Sequence, residues 1–157
     1  MRLTKFSDYA LRTLIFAAST DRLATIEETA EAHGISRAHL KKVVMVLTHA
    51  GFLKGIRGRL GGYTLARPAD EINLGAVLRV TEADFHLVEC LGPDNQCRLS
   101  DTCRLAGIAG EALAAFLATF DRYTLADVLL RQDHFLGSPA APAAARGTRL
   151  PTVGEMA

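Results

Sequence analysis

Between Glu31 and Asp70 the chain carries no acidic residue. A stretch with only one sign of charge has nothing of its own to repel a polyanion. The window holds Arg37, Lys41, Lys42, Lys54, Arg57, Arg59 and Arg67. Residues 1–70 carry eleven Lys/Arg against six Asp/Glu, and residues 71–157 carry seven against eleven. The near-neutral total of +1 thus hides a basic first half and an acidic second half. Other absences narrow the function further. No apolar run approaches the roughly 20 residues that cross a bilayer. No continuous apolar region follows Met1-Arg2-Leu3-Thr4-Lys5, so no signal peptide is read and a cytoplasmic protein is expected. There are no internal repeats. No nucleophile–base pair, acid–base pair or phosphate loop is visible, and an enzyme is not expected. Gly58-x-x-Gly61-Gly62 is followed by neither Lys-Ser/Thr nor a helix, so it is not a nucleotide fingerprint. Cysteine is absent everywhere except one stretch, Cys90 to Cys103, which holds all three.

What is present suits a globular protein: hydrophobic residues make up 49% of the chain, enough to build a core. Residues 7–18 read as a helix, with Ser7 as N-cap and Tyr9, Leu14, Ile15 and Ala18 at roughly helical period. Asp8 sits in the first turn, where a carboxylate suits the helix dipole. Thr25-Ile26-Glu27-Glu28 is a capping box that opens a short helix over about 25–32. His33-Gly34 makes the turn, and Ser36 caps a second helix over about 37–49. Leu40, Val43, Val44 and Leu47 form its inner face, and Gly51 ends it in the left-handed position.

Two short helices around a tight turn form a helix-turn-helix, whose second helix lies in the major groove of DNA. Arg37 and His39 are candidate base readers beside Ser36, while Lys41 and Lys42 suit phosphates. Phe52–Ile56 and Tyr63–Leu65 read as strands flanking the turn Arg57-Gly58-Arg59-Leu60-Gly61-Gly62. This hairpin is a wing. Arg57 and Arg59 bring charge to its tip, and Gly61 and Gly62 let the backbone approach a phosphate or a minor groove.

Beyond Pro68 the pattern changes. A short helix runs from Asn73 or Leu74 to about Thr81, and residues 82–89 lead into the cysteine loop. A long helix over about 104–121 places Leu105, Ile108, Ala109, Ala112, Leu113, Phe116, Leu117 and Phe120 on one apolar seam. Little else in the chain could cover so long a stripe, which predicts a homodimer helix. A two-fold protein also suits paired half-sites on DNA. Thr124–Leu130 reads as a short final helix, and the chain from Gly137 onward is rich in Ala, Pro and Gly. The expected fold class is mainly α: a winged helix-turn-helix with a two-stranded wing, plus a long C-terminal dimerisation helix. The expected units are residues 1–70 for DNA binding, 71–135 for linker, cysteine loop and dimer helix, and 136–157 as a disordered tail.

The cysteines follow the pattern Cys-x6-Cys-x5-Cys. An odd count leaves one thiol over in any disulfide scheme, and clustered thiols in a reducing compartment bind metal or react. Zinc sites usually show a Cys-x2–4-Cys knuckle, which is missing. No histidine follows Cys103 closely. Three thiolates suit an iron–sulfur cluster; zinc or another metal, and thiol redox chemistry, stay open. A zinc-stabilised DNA-binding protein and an iron–sulfur carrier or electron-transfer protein are the competing functions, although a carrier has no use for a basic wing.

The opening Met1–Arg12, the wing Arg57–Gly62 and the three-cysteine loop together resemble the winged-helix iron–sulfur repressors, over about residues 1–132. The resemblance implies a repressor that binds double-stranded operator DNA as a homodimer and is controlled by an iron–sulfur cluster, [4Fe-4S] rather than [2Fe-2S]. One branch of that family carries a histidine three residues after the last cysteine as fourth ligand; here that position is Ala106. The nitric-oxide-sensing branch instead has an aspartate in the first helix, reaching the cluster of the other subunit; here that is Asp8. The resemblance therefore implies Cys90, Cys97, Cys103 and Asp8 as ligands and nitric oxide as effector. An iron-responsive branch with three cysteines is the runner-up.

Overall fold

The computed structural model describes residues 2–129 apart from Asp21, Arg59 and Asp101. Arg59 of the expected wing tip, Leu130 of the expected final helix and the expected tail lie outside the described residues. The described chain runs through α1 (Lys5–Ala18), α2 (Ile26–His33), α3 (Arg37–His49), β1 (Leu53–Ile56), β2 (Gly62–Leu65), α4 (Leu74–Thr81) and α5 (Leu105–Asp121). Short 3₁₀ turns lie at Ala69–Glu71, Glu89–Leu91 and Leu125–Val128. This is the expected mainly helical architecture with a two-stranded wing. No helix among the described residues is long and apolar enough to cross a membrane.

The helix ends follow local chemistry, with one correction. Thr25 and Glu28 close both halves of the capping box, Ser36 caps α3 and Asn73 caps α4. Gly34 (φ 63°) and Gly51 (φ 75°) supply the left-handed residues that end α2 and follow α3. The expected cap Ser7 is wrong: Thr4 caps α1, and its Oγ1 accepts from the Ser7 amide at 3.2 Å. The deciding contact is tertiary. The Thr4 amide and hydroxyl both donate to Glu82 Oε1, at 2.9 and 3.2 Å, which pins Thr4 just outside the helix.

α1 is the central element. Its buried face of Ala10, Leu14 and Ala17 packs on α3 and α4. Val43 and Leu47 of α3, Phe52, Leu53, Tyr63, Ile72, Val77 and Leu125 complete the same cluster. Each fully buried leucine or valine contributes about 1.5–3 kcal/mol of transfer free energy. β1 and β2 pair antiparallel, Leu53 opposite Leu65 and Ile56 opposite Gly62. Ala24 flanks β2 through reciprocal bonds with Tyr63, at 2.9 and 2.8 Å. Tyr63 is buried and hydrogen-bonded to Thr29, and burial pushes its hydroxyl up to about 12. The wing is thereby anchored to α2.

The last buried member of this core before the cysteine loop is Val77 and the next is Leu125, with Phe120 of α5 packed against it half-buried. Exit and return are tied together. Leu74 N–H donates to the Tyr123 carbonyl at 3.0 Å, and Leu125 N–H to that of Ile72 at 2.8 Å. Asn73 Nδ2 donates to the Asp121 carbonyl at 2.8 Å, and Arg79 Nη2 to Asp121 Oδ2 at 2.8 Å. The Arg79 guanidinium holds the Asp121 carboxyl below its ordinary value. Between these ties lie the cysteine loop and α5.

Candidate functional site

The candidate reading surface is the outer side of α3. Leu40, Val43 and Leu47 face the core, which leaves Arg37, Ala38, Lys41, Lys42 and Met45 exposed. Among the described residues none of Arg37, Lys41, Lys42, Lys54 and Arg57 enters an ion pair with this chain, so their charge is available outward. Ser36 and His39 are exposed but occupied. Ser36 Oγ accepts from the His39 amide at 3.4 Å and lies 3.0 Å from His39 Nδ1. Met45, 65% exposed, is a residue that charge counting overlooks. Its spacing from Lys41 and Lys42 on the outer helical face is the signal that could have found it.

Arg67 differs from the other bases of the acid-free window. Its Nε and Nη2 donate to the Gly51 carbonyl at 3.2 and 3.0 Å, and its guanidinium sits 5.5 Å from the Phe52 ring centroid. It braces the turn between α3 and β1. The wing glycines also have packing roles. A Cβ on Gly62 would lie 2.5 Å from the Ala24 carbonyl oxygen, and one on Gly61 would lie 2.4 Å from that of Ile56. Both positions need glycine for the hairpin itself.

The thiol loop is held by its own polar groups. Cys97 N–H donates to Asn95 Oδ1 at 2.9 Å, and Ser100 Oγ donates to the Cys97 carbonyl at 2.8 Å. Cys103 N–H donates to the Leu99 carbonyl at 2.8 Å. Gln96 N–H reaches back to Glu89 Oε1 at 3.2 Å, beside Cys90. All three thiols are free and half-buried. Cys103 lies just before α5, and its Sγ accepts the Leu105 amide at 3.4 Å. A set of sulfur-only donors on an irregular, partly shielded loop fits an iron–sulfur cluster by donor chemistry. Within one chain the fit is incomplete. Among the described residues no three of His, Cys, Asp and Glu converge closely enough to hold a metal ion.

Asp8 stands apart from the cysteines and pairs with Arg12 one helical turn on, Nε to Oδ1 at 3.0 Å and Nη2 to Oδ2 at 2.9 Å. An exposed i,i+4 pair is worth about 0.3–0.5 kcal/mol, too little to hold Asp8 against a stronger cation. Ring contacts join α1 to α3 and to α2. The Tyr9 ring lies 6.2 Å from that of His39, and Phe16 meets His33 edge-on at 5.9 Å. His33 is half-buried, and burial, then the Arg12 charge, pushes its pKa below the ordinary value, with Asp8 opposing.

The α5 seam is partly covered: Leu113, Phe116, Leu117 and Phe120 are half-buried, and Phe120 packs on the core. Along α5 only Ala109 is buried, while Leu105 and Ile108 are 50% and 62% exposed. Phe116 and Phe120 stack at 5.0 Å on the same seam.

Comparison with known proteins agrees with this layout. The family described as "Rrf2: Iron-dependent Transcriptional regulator" matches residues 3–131. The chain is 44% identical to the HTH-type transcriptional regulator NsrR of Bacillus licheniformis, over 85% of this chain and 96% of that protein. It is 45% identical to NsrR of Oceanobacillus iheyensis, over 87% and 95%. Among solved structures, the global cysteine regulator CymR of B. subtilis superimposes with a TM-score of 0.64 at 25% identity, covering 82% of this chain and 95% of that one. These relatives are transcriptional regulators and not enzymes, as the absence of a catalytic constellation led one to expect. With an exposed basic helix, a wing and a family match across nearly all its described residues, the chain belongs to the Rrf2 family of DNA-binding transcriptional regulators.

Proposed function

We propose that the protein is a homodimeric repressor whose hold on operator DNA is set by nitric oxide, sensed at an iron–sulfur cluster. Cys90, Cys97 and Cys103 of one subunit and Asp8 of the partner subunit would hold the cluster, [4Fe-4S] in preference to [2Fe-2S]. The observation that carries this reading is that three free, half-buried thiols lead directly into a helix whose first turns leave Leu105 and Ile108 exposed. The sensor and the expected dimer face thus share one element. The likeness to NsrR proteins and the nitric-oxide-sensing resemblance point the same way.

When bound, the cluster supplies iron with which nitric oxide reacts. The chain's own residues do the rest. Carboxylate oxygen is a harder and weaker ligand for such iron than thiolate, so Asp8 is the donor most easily given up. Its alternative partner is already in place, since Arg12 lies one turn away on the same helix. The neighbouring Tyr9 packs on His39 in the first turn of α3. A shift of α1 that accompanies the exchange of Asp8 partners would therefore reach the reading helix directly. This makes α1 the two-state element that the sensor biases. Arg37, His39, Lys41 and Lys42 would engage the major groove, and Arg57 with Arg59 would hold the phosphates beside the wing.

The test is anaerobic titration of the full-length protein with nitric oxide, followed by absorbance and by DNA binding together. Asp8→Ala should retain cluster absorbance but respond to nitric oxide with a blunted release of DNA. An unchanged response removes Asp8 from the account, and cluster loss without DNA release removes the sensor reading. The family's description as iron-dependent favours one second reading, with iron supply as the signal. In that case chelation releases DNA and nitric oxide at matched concentration does not.

A further inference from the structure

Leu60 is 91% exposed, the highest value for a large apolar side chain among the described residues. Single exposed leucines are ordinary on protein surfaces. The setting of this one is not ordinary. It stands in the turn between Ile56 and Gly62, at the far end of the wing. Gly61 N–H closes that turn onto the Gly58 carbonyl at 3.0 Å. Gly58 has φ 126°, a conformation that side chains resist. A Cβ on Gly61 would strike backbone oxygen at 2.4 and 2.9 Å. The tip is therefore wound tightly around two obligatory glycines, and it presents Leu60 from a fixed turn.

The surroundings decide what the leucine meets. Arg57 and Lys54 on the same hairpin are exposed and outside any ion pair among the described residues. No acid occurs in sequence between Glu31 and Asp70. Protein interfaces are depleted of charge around their apolar centre, so one leucine on a hairpin whose described cations are all unpaired does not match one. A nucleic-acid groove does: phosphates take the cations, and the sugar walls and base edges take the apolar tip. Minor-groove proteins insert leucine and other apolar wedges beside basic residues in this way.

We propose that Leu60 is a specificity-determining wedge that enters the DNA minor groove next to the segment read by α3. A leucine has no donor or acceptor, so it cannot read base edges by hydrogen bonding. It selects by groove width and by how readily a step opens, favouring flexible pyrimidine–purine steps such as TA. The inference rests on the wing being a DNA-contacting element.

The probe is a duplex enriched by the full-length wild-type protein from a randomised pool, with binding measured across a salt series. Leu60→Ala should weaken binding roughly 10-fold, the scale expected when part of a buried leucine contact is lost. It should leave the salt slope unchanged and erase the wild type's preference for TA over GC at the step facing the wing. Arg57→Ala should instead make the slope shallower by about one phosphate contact. If Arg57→Ala acts and Leu60→Ala binds as wild type does, the wedge is wrong and the wing reading stands. If neither variant changes binding, the wing reading falls and the wedge with it. If Leu60→Ala alters the oligomeric state and affinity follows mass, Leu60 is a protein contact and the proposal is overturned.

Discussion

The segment from Thr4 to Leu78 and the arm from Arg79 to Thr124 are held by different means. The first supplies nearly every buried member of the core, with α1, α3, α4 and the wing base closed around one apolar cluster. The second contributes no buried side chain to that cluster. Its loop is held by bonds among its own Asn, Ser, Glu and backbone groups, and its long helix buries one alanine. One region is satisfied within a single chain. The other leaves Leu105 and Ile108 exposed and its thiols ungathered, which fits the second subunit proposed above.

Breaking the seam should give the largest effect. Ile108 is 62% exposed, so the fold of one chain does not depend on it. Ile108→Asp is expected to yield a folded monomer by sedimentation and to weaken operator binding by at least about 100-fold, the loss that follows when two reading heads no longer act together. A variant that stays dimeric at micromolar concentration would show that α5 is not the interface. A core substitution in the first region should behave in the opposite way. Leu47 is fully buried, and Leu47→Ala should cost about 2–5 kcal/mol in urea unfolding. In the first region's own transition that loss should not depend on protein concentration.

The smallest effect sharpens the comparison through pH. His33 lies in the first region, and burial lowers its folded pKa beneath the unfolded value of roughly 6.5. The folded state then binds fewer protons than the unfolded state. The contribution is fully present above the unfolded pKa and is lost as pH falls from there toward the folded pKa. Urea midpoints should decline over that window, and His33→Gln should flatten part of the decline. Half-exposure keeps the effect modest. An identical slope in the two proteins would assign the pH dependence elsewhere.

Much of the first region could be read from sequence because its signals are local. The Thr25–Glu28 box, the caps Ser36 and Asn73, and the left-handed glycines after α2 and α3 all fall where short patterns put them. The start of α1 could not be read locally, since Thr4 and Ser7 are both good caps and Glu82 decides between them from across the fold. The same holds for the Ala24–Tyr63 bridge, which gives Gly62 a packing role beside its place in the wing. Arg67 counts as surface charge in a sequence and is a brace in the fold. The thiol loop was visible as a cluster of cysteines, but one chain alone does not gather its donors. On the proposed reading that limit is physical, because ligands drawn from two subunits would leave no spacing pattern within one.

The ties at the base of the arm have a consequence for wear. Ile72, Leu74 and Leu125 are buried together, and backbone bonds join them across the exit and return of the chain. Whatever happens to the loop therefore happens downstream of a closed gate. On the proposed reading the cysteines would be stripped, oxidised or reloaded while the DNA-binding domain keeps its core, and the regulator would be reset in place after each exposure, without being degraded and synthesised again. It also offers engineers a cassette: residues between the ties can be exchanged for another sensing loop without touching the surface that meets DNA.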